Sequence, residues 1–371
     1  MKIVNVVYDF NVGGIQKLLL EYLRYFKNSE IDYQVVVLSP NQNSNFDIIC
    51  KNEKLNIHYL NCCFSNNNHY YIRKYLKWYR FNFRLLKYLK KEKPDLVHTH
   101  NTRMLNLIET CIKKTHKKYK WFHTLHSDPY AVHESHIPVA KRVFEKYGVK
   151  TICLNETQFL KAKERYGLSK CLYLYNAINF NKLKKDVINK IIFRNSLGIK
   201  DDDYVMGAVG RLDPVKNYPF MLKVFKEILK YNNNSILLIA GGGSNEDFEK
   251  LNSYATENGF KDKLLLLGNR TDVQNIYNIV DIFTQTSLTE ASPLTIIEAQ
   301  SMNCKCVVSN AIPKESVCFQ NRVVRLSLNE SLDTWVREVL NPTRFEKQYS
   351  NLKDYSIEEL SKKLIKMYLE N

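Results

Sequence analysis

The chain has 371 residues, 44% of them hydrophobic and 25% charged, with a formal net charge of +17. That length exceeds what a single core usually carries, so two domains are expected, and the composition is that of an ordinary globular fold rather than a disordered chain. No apolar run approaches the ~18 residues of a membrane span, and the opening MKIVNVVYDFNVGG reads as strand and loop instead of a signal peptide, which places the chain in the cytoplasm. The nine cysteines are scattered without a C-x-x-C, a pattern of buried thiols rather than disulfides or zinc ligands. Residues 1–175 carry 29 Lys and Arg against 14 Asp and Glu, whereas residues 176–371 carry 26 against 24. The positive excess of the first half points to an anionic partner there: a membrane surface, a phosphorylated acceptor or nucleic acid.

Strand-like runs at Ile3–Tyr8, Tyr33–Leu38, Ile57–Leu60, Leu96–Thr99, Trp121–Thr124 and Thr151–Leu154 alternate with helix-compatible segments, the pattern of a doubly wound α/β domain with a parallel sheet. Between the first strand and its helix lies Asn11-Val-Gly13-Gly14-Ile15. The glycines allow close approach of backbone to a ligand, but the loop is not the G-x-G-x-x-G of a dinucleotide site, and a plain tight turn also explains it. Tyr70 to Lys93 carries nine basic residues against the single acid Glu92. As a helix it places Arg73, Lys77, Arg80, Arg84, Lys87 and Lys91 on one stripe and Ile72, Leu76, Tyr79, Phe83 and Leu86 on the opposite one. With Tyr71, Tyr75, Trp78 and Phe81 interleaved, the segment suits an anionic bilayer interface; no zinc finger or RNP-like sequence accompanies it, so nucleic acid is not the expected partner. Two clusters end strands at Asp95-Leu-Val-His98-Thr-His100-Asn101 and Phe122-His123-Thr-Leu-His126-Ser-Asp128. Ligands collect at the carboxyl ends of such strands, where His100, Asn101 and His126 fall. A metal held by His98 and His100 is disfavoured because strand alternation is expected to turn them to opposite faces and no Cys or Glu completes a set.

The alternation restarts after about residue 176, with strands at Val205–Val209, Ile236–Ala240, Leu264–Leu267, Ile282–Thr284 and Lys305–Val308. The expected divisions are 1–176, 177–355 and a terminal amphipathic helix over 356–371, with Asn176-Ala-Ile-Asn179 as hinge. Asp201-Asp202-Asp203 contains an Asp-x-Asp, but its place before a strand makes a polar turn the better account. In Gly210-Arg211-Leu-Asp213-Pro-Val-Lys216-Asn217 the two cations are close enough to clamp two phosphates, the alternative being solvated surface charges. Gly241-Gly242-Gly243-Ser244 follows a strand and precedes a helix; Gly268-Asn-Arg270-Thr-Asp272 follows the next. In Asp281 to Ser309, Ser292 offers an N-cap and Pro293 a first helical position, with Leu294 next. The first turn of that helix is suited to an anion, and Glu290 and Glu298 flank it as hydroxyl acceptors, unless they are simply solvated glutamates.

The Glu290-x7-Glu298 spacing, with Pro293, Ala299 and the strand Cys306 to Ser309, resembles the donor-sugar motif of glycosyltransferase family 4, of GT-B architecture. The order Gly13/Gly14, His126, Arg211/Lys216, Glu290/Glu298 is similar to that family across almost the whole chain, and the Glu-Ala-Gln-Ser and Ser-Asn-Ala-Ile-Pro-Lys-Glu stretches look closest to members that build capsular and exopolysaccharide units. The resemblance implies two Rossmann-like domains facing a cleft, the first binding acceptor and the second donor, with the C-terminal helix returning to the first. It implies retaining, metal-independent transfer from a nucleoside diphosphate sugar, foremost a UDP-sugar, to a lipid-linked saccharide at the inner face of the membrane. Gly13 and Gly14 would close on the diphosphate, Arg211 and Lys216 would bind it, and Gly242, Arg270, Ser292, Pro293 and Leu294 would line the donor site. Glu298 would hold the ribose, Glu290 the sugar, and His126 would hydrogen-bond the donor, with His100 and Asn101 on the acceptor side. Asn217 and Ala291 replace glycines of the family pattern, and Ala177 departs from it at the hinge. A UDP-sugar epimerase of the same architecture and a non-catalytic basic binding protein are the alternatives.

Overall fold

The computed structural model describes residues 1–11, 13–62, 70–341 and 352–371, with the side chains of 70–77 and 320 outside that description. The chain divides into two compact units, Met1–Ile178 with Tyr355–Asn371, and Asn179–Asp354.

In the first unit the strands are β1 (Lys2–Val7), β2 (Asp32–Val37), β3 (Ile57–Tyr59), β4 (Leu96–His100), β5 (Lys120–Thr124), β6 (Lys150–Cys153) and β7 (Leu172–Tyr173). They form one parallel sheet in the order β3-β2-β1-β4-β5-β6-β7, so the winding direction reverses between β1 and β4. The helices α1 (Gly14–Phe26), α2 (Asn45–Asn52), α3 (Tyr70–Glu92), α4 (Thr102–Thr115), α5 (Ile137–Lys141) and α6 (Glu156–Tyr166) connect them. Strands such as KIVNVV and DYQVVV are buried along nearly their whole length, as parallel strands covered on both faces must be. The two-residue β7 and, in the second unit, the strand at Val323–Leu326 are absent from the sequence expectation; both are short edge strands with weak alternation.

The second unit repeats the plan with β8 (Tyr204–Val209), β9 (Ser235–Ala240), β10 (Leu264–Leu266), β11 (Ile282–Gln285), β12 (Lys305–Ser309) and β13 (Val323–Leu326) in the order β10-β9-β8-β11-β12-β13, all parallel. Its helices are α7 (Val187–Ser196), α8 (Tyr218–Tyr231), α9 (Asn245–Glu257), α10 (Val273–Ile279), α11 (Leu294–Ser301) and α12 (Leu332–Leu340). Its reversal lies between β8 and β11, the strands that precede Lys216 and Glu290.

The last helix, α13 (Ile357–Glu370), belongs to the first unit. Ser356 caps it by accepting from Glu359 N at 3.2 Å, and Ile178 pairs with Ser356 as an isolated bridge. Ile357, Leu360, Leu364 and Tyr368 enter the core that α1 shares with β1 and β2. Among the described residues no helix is long and apolar enough to cross a membrane.

Candidate functional site

The exits of β8 and β11 meet at the reversal point of the second sheet. Pro214–Lys216 forms a single 3-10 turn whose N-cap, Asp213, accepts from Lys216 N, and Asn217 closes it at φ 52° and ψ 44°. That left-handed backbone accepts Asn as well as Gly, so the departure from the family glycine is mild. Thr286 Oγ1 donates to the carbonyls of Lys216 and Asn217 at 3.2 and 3.0 Å, and Leu288 N donates to Val215 O at 2.8 Å. The turn is thereby stitched to the β11 exit, and Lys216 Nζ is delivered to Glu290 Oε1 at 2.5 Å. The same oxygen accepts from Gln285 Nε2 at 2.6 Å and Ser287 Oγ at 2.7 Å. Gln285 is in turn oriented by Thr295 Oγ1, which donates to its Oε1 at 3.1 Å from the first turn of α11. Three donors converge on Oε1; among the described residues none reaches Oε2. The pair is sheltered, its side chains 18% and 12% exposed, so the interaction escapes most solvent screening. Chemically, this is a fixed acceptor for hydroxyls beside a fixed cation.

Around it, the loops that leave β8, β9 and β10 are pressed together. A Cβ on Gly241 would stand 1.8 Å from Gly210 O, so backbone packing demands that glycine whether or not a ligand is bound, whereas one on Gly242 would meet the Asn269 side-chain amide at 2.5 Å, which a side-chain shift could relieve. Arg211 lies in the same loop as Lys216 but points away from Glu290's donors: it is 73% exposed and reaches Asp213 at 3.3 Å. Arg270 is forked onto Asp272 at 2.8 and 2.6 Å and lies over the Phe193 ring, a position that raises its pKa through the Asp272 bonds. Helix α11 begins at Leu294 with Pro293 at the N-cap, one residue later than the expected Ser292 cap. Glu298, expected at a ribose, is 2% exposed, and its Oε2 accepts from the buried Tyr277 hydroxyl at 2.9 Å. Asp203 sits at the opposite, amino end of β8, where its carboxylate accepts from Lys200 N and its carbonyl accepts from Arg194.

The first unit gathers its histidines at the reversal between β1 and β4. His98 and His100 are two apart on one strand and therefore share a face, contrary to the expectation of opposite faces; their rings lie 4.3 Å apart. His98 contacts the Tyr368 hydroxyl of α13 at 2.5 Å and Thr124 Oγ1 at 2.8 Å, and His100 contacts Asn5 at 3.1 Å and His126 at 3.0 Å. Every nitrogen of the pair is thus engaged, which leaves no lone pair for a metal. Burial pushes the pKa of His98, His100, His123 and His126 well below the usual imidazole range, although His126 as a whole residue is half-buried rather than buried. Neutral rings have one donor and one acceptor each, and that constraint orders the chain. Asn5 Nδ2 donates to Gln34 O at 3.2 Å, so Asn5 Oδ1 is the acceptor that faces His100 Nε2. His100 therefore carries its proton on Nε2, its Nδ1 accepts, and His126 must donate from Nε2. The atom left over, His126 Nδ1, is an acceptor, and among the described residues no donor meets it. Asn101 takes φ 74° and caps α4 by accepting from Arg103 N at 3.0 Å, a structural duty next to the site. Gly13 is the N-cap of α1 in extended conformation, and a Cβ on Gly14 would meet nothing within 4 Å, so open space adjoins that first turn.

The basic helix departs from its expected orientation. Phe81, Leu85 and Leu89 are fully buried, whereas Tyr79 and Phe83 are each 55% exposed and stack on one another at 6.1 Å. Asn82 fixes this rotation: it donates to Leu107 O at 2.7 Å and accepts from Cys111 N at 2.7 Å, tying α3 to α4. Arg84 turns inward to the Asn61 carbonyl at 2.5 Å, leaving Arg80, Lys87, Lys90 and Lys91 outside with the aromatic pair. Ile72, Arg73, Leu76 and Lys77 have side chains outside the described residues.

Sequence reasoning missed Gln285, Ser287, Asn5 and Tyr368. Gln285 and Ser287 alternate at a strand end five and three residues before Glu290, a readable signal; Asn5 and Tyr368 matter only through partners 95 and 270 residues away.

A Glycosyltransferase Family 4 model matches residues 12–179 and a Glycosyl transferases group 1 model matches residues 189–341. The chain thus carries a Glycosyltransferase Family 4 domain followed by a Glycosyl transferases group 1 domain. This two-domain chain is 33% identical over 237 residues to the Escherichia coli UDP-Gal:alpha-D-GlcNAc-diphosphoundecaprenol alpha-1,3-galactosyltransferase, a match that covers 61% of the chain and 60% of that relative. It is 24% identical over 320 residues to the Staphylococcus aureus capsular polysaccharide biosynthesis glycosyltransferase CapH, covering 84% and 81% respectively. Its fold matches the Anabaena HepE crystal structure in complex with UDP-glucose at a TM-score of 0.79, with 16% identity and full coverage of both chains. Sucrose-phosphate synthase from Thermosynechococcus elongatus matches at 0.78 with 13% identity, covering 100% and 98%. At those identities the likeness establishes the fold, GT-B.

Proposed function

We propose that the chain moves a sugar from a nucleoside diphosphate sugar, foremost a UDP-sugar, to a hydroxyl of a growing lipid-linked capsular or exopolysaccharide unit, with retention and without a metal. The observation that carries this reading is the Glu290 carboxylate, saturated on Oε1 by Lys216, Gln285 and Ser287 and open at Oε2. A carboxylate so fixed grips sugar hydroxyls, and the adjacent cation meets the departing diphosphate. The relatives support it: one is named for UDP-Gal and a diphosphoundecaprenol acceptor, another for capsular polysaccharide, and HepE holds UDP-glucose.

In the reaction the bond from the anomeric carbon to the diphosphate breaks, a bond to the acceptor oxygen forms and the acceptor hydroxyl gives its proton to the departing diphosphate, on which charge grows as the first bond opens. Preorganised cations and backbone N–H groups stabilise that charge without reorganising; losing one such donor costs ~3 kcal/mol in other enzymes. Lys216 supplies the near charge, Arg211 an exposed second one, and the first turns of α11 and of α1 after Gly13 and Gly14 supply oriented N–H groups. Gly242 lets the nucleotide approach, while Arg270 and the Ser292–Leu294 segment complete the donor wall. Glu298, anchored to Tyr277 through Oε2, is the carboxylate assigned to the ribose hydroxyls. His126 offers a lone pair at Nδ1, which accepts from a hydroxyl of the donor sugar and repels phosphate oxygens. His100 and Asn101 line the acceptor side. The outer face of α3, with Tyr79 and Phe83 among Arg80, Lys87, Lys90 and Lys91, holds the protein peripherally on the anionic inner membrane face.

A panel of nucleotide sugars in a thermal-shift assay tests the donor, since a ligand at about 100 times its Kd stabilises by ~2.7 kcal/mol. One UDP-sugar should raise Tm and then label a diphospholipid-linked saccharide. Conversion of the donor alone into an isomeric UDP-sugar would replace transfer by epimerisation.

A further inference from the structure

Helix α7 of the second unit is amphipathic in the reverse of the usual sense. Its inward contacts are mostly polar, Phe193 being the one apolar side chain it buries: Asn189 Nδ2 donates to Asn275 Oδ1 at 2.8 Å, and Asn278 Nδ2 donates to Asp186 O at 2.6 Å. The buried Arg194 guanidinium donates to the carbonyls of Ile279, Lys200 and Asp203 at 3.3, 2.5 and 2.8 Å. Its outward face is aliphatic, with Val187 and Ile188 each 73% exposed, Ile191 51% and Ile192 60%. Spaced at i, i+1, i+4 and i+5, the four form one patch. Helix propensity does not account for them, because β-branched residues are among the weaker helix formers. Neither does core packing, which they do not join. An aliphatic patch kept in water on a helix already anchored by polar bonds marks a surface that is covered in use.

The border of the patch identifies what covers it. Lys182, Lys184 and Lys185 precede it and Lys190 lies within the helix, whereas residues 181–200 hold one acid, Asp186. That carboxylate is spent as the α7 N-cap, accepting from Asn189 N at 2.9 Å. A depression of about 620 Å³ runs beside Val187 and Ile188 and is lined by Lys184 and Lys185. A second copy of the chain seated symmetrically would bring these lysines against themselves, a like-charge cost without compensation. An anionic bilayer presents the complementary layers: phosphates at the level of the lysines and hydrocarbon at the level of the isoleucines. We propose that α7 is an interfacial helix through which the second unit rests on an anionic lipid surface. This contact is distinct from that of α3 and does not depend on the transfer reaction, so the two readings fail separately.

The test uses the full chain with vesicles of phosphatidylcholine, with and without phosphatidylglycerol. An Ile188→Trp variant should show a blue shift of its added emission with the anionic vesicles and none with the neutral ones. Ile188→Asn with Ile191→Asn should weaken partitioning about tenfold while Tm stays unchanged, as should Lys184→Glu with Lys190→Glu. Both pairs are to be measured in the wild type and again with Tyr79→Ser and Phe83→Ser, which removes the α3 contribution. No spectral shift of the introduced indole with either vesicle overturns the proposal. A shift that instead tracks protein concentration without lipid, with a dimer in light scattering, also overturns it, by assigning the face to a second copy.

Discussion

Glu290 is held by three donors on a single oxygen, so its replacement and that of its holders should separate kinetically. Glu290→Ala and Lys216→Ala are expected to lower kcat/KM by about 100-fold or more with native circular dichroism, because each removes a charge that the proposed mechanism directs at the sugar nucleotide. Ser287→Ala removes one hydrogen bond of three and should cost ~1 kcal/mol, about fivefold. The buried histidines give a second residue-scale expectation. Their folded pKa values lie below the unfolded one, so the unfolded chain binds the protons first as pH falls. Stability is full above pH ~6.5 and drains away below it, at up to ~1.4 kcal/mol per pH unit for each such ring, down to the folded values, about 3 for His126. Urea unfolding across that window measures it, and His98→Asn should flatten the slope. The tautomers are checked by nitrogen-15 NMR: His126 should show a protonated Nε2 and a pyridine-type Nδ1, and Asn5→Leu should let the pattern scramble. A protonated Nδ1 in the native enzyme would end the assignment of a hydroxyl to that atom.

At the scale of elements, α3 and α13 show two ways in which helix context decides a side chain's role. In α3 apolar residues occur on every face, so periodicity alone selects Tyr79, Phe83 and Leu86 as inward; the buried Asn82 bridge to α4 turns Phe81, Leu85 and Leu89 in instead. The consequence is measurable: Tyr79→Ser with Phe83→Ser should reduce binding to anionic vesicles, and raised salt should reduce what remains, while stability changes little because both rings already face solvent. Helix α13 closes the first unit with Tyr368 fully buried on His98 and Phe122. Tyr368→Phe should cost ~1 kcal/mol of unfolding free energy and broaden the His98 imidazole signals, since it deletes the hydroxyl and keeps the ring.

For the whole molecule, two sheets wound on the same plan each reverse direction beside the residues assigned to substrate. Such a point leaves a crevice between diverging loops, which is why ligands collect there. Because the proposed mechanism draws its positive charge from Lys216 and the helix ends, transfer should persist in EDTA. Strong inhibition reversed by manganese would shift attention to Asp201–Asp203, at the amino end of β8. Much of this was open to reading in the chain itself. Parallel strands covered on both faces must be short apolar runs separated by helices, so all of them but the edge strands β7 and β13, the restart near residue 176 and the family motifs around Lys216 and Glu290 are local in sequence. The roles of Asn5, Tyr368 and Tyr277, the rotation of α3 and the reversed face of α7 are not local. They depend on which polar groups find partners across the fold, and a buried hydrogen bond between residues hundreds of positions apart leaves no periodicity for a sequence to display.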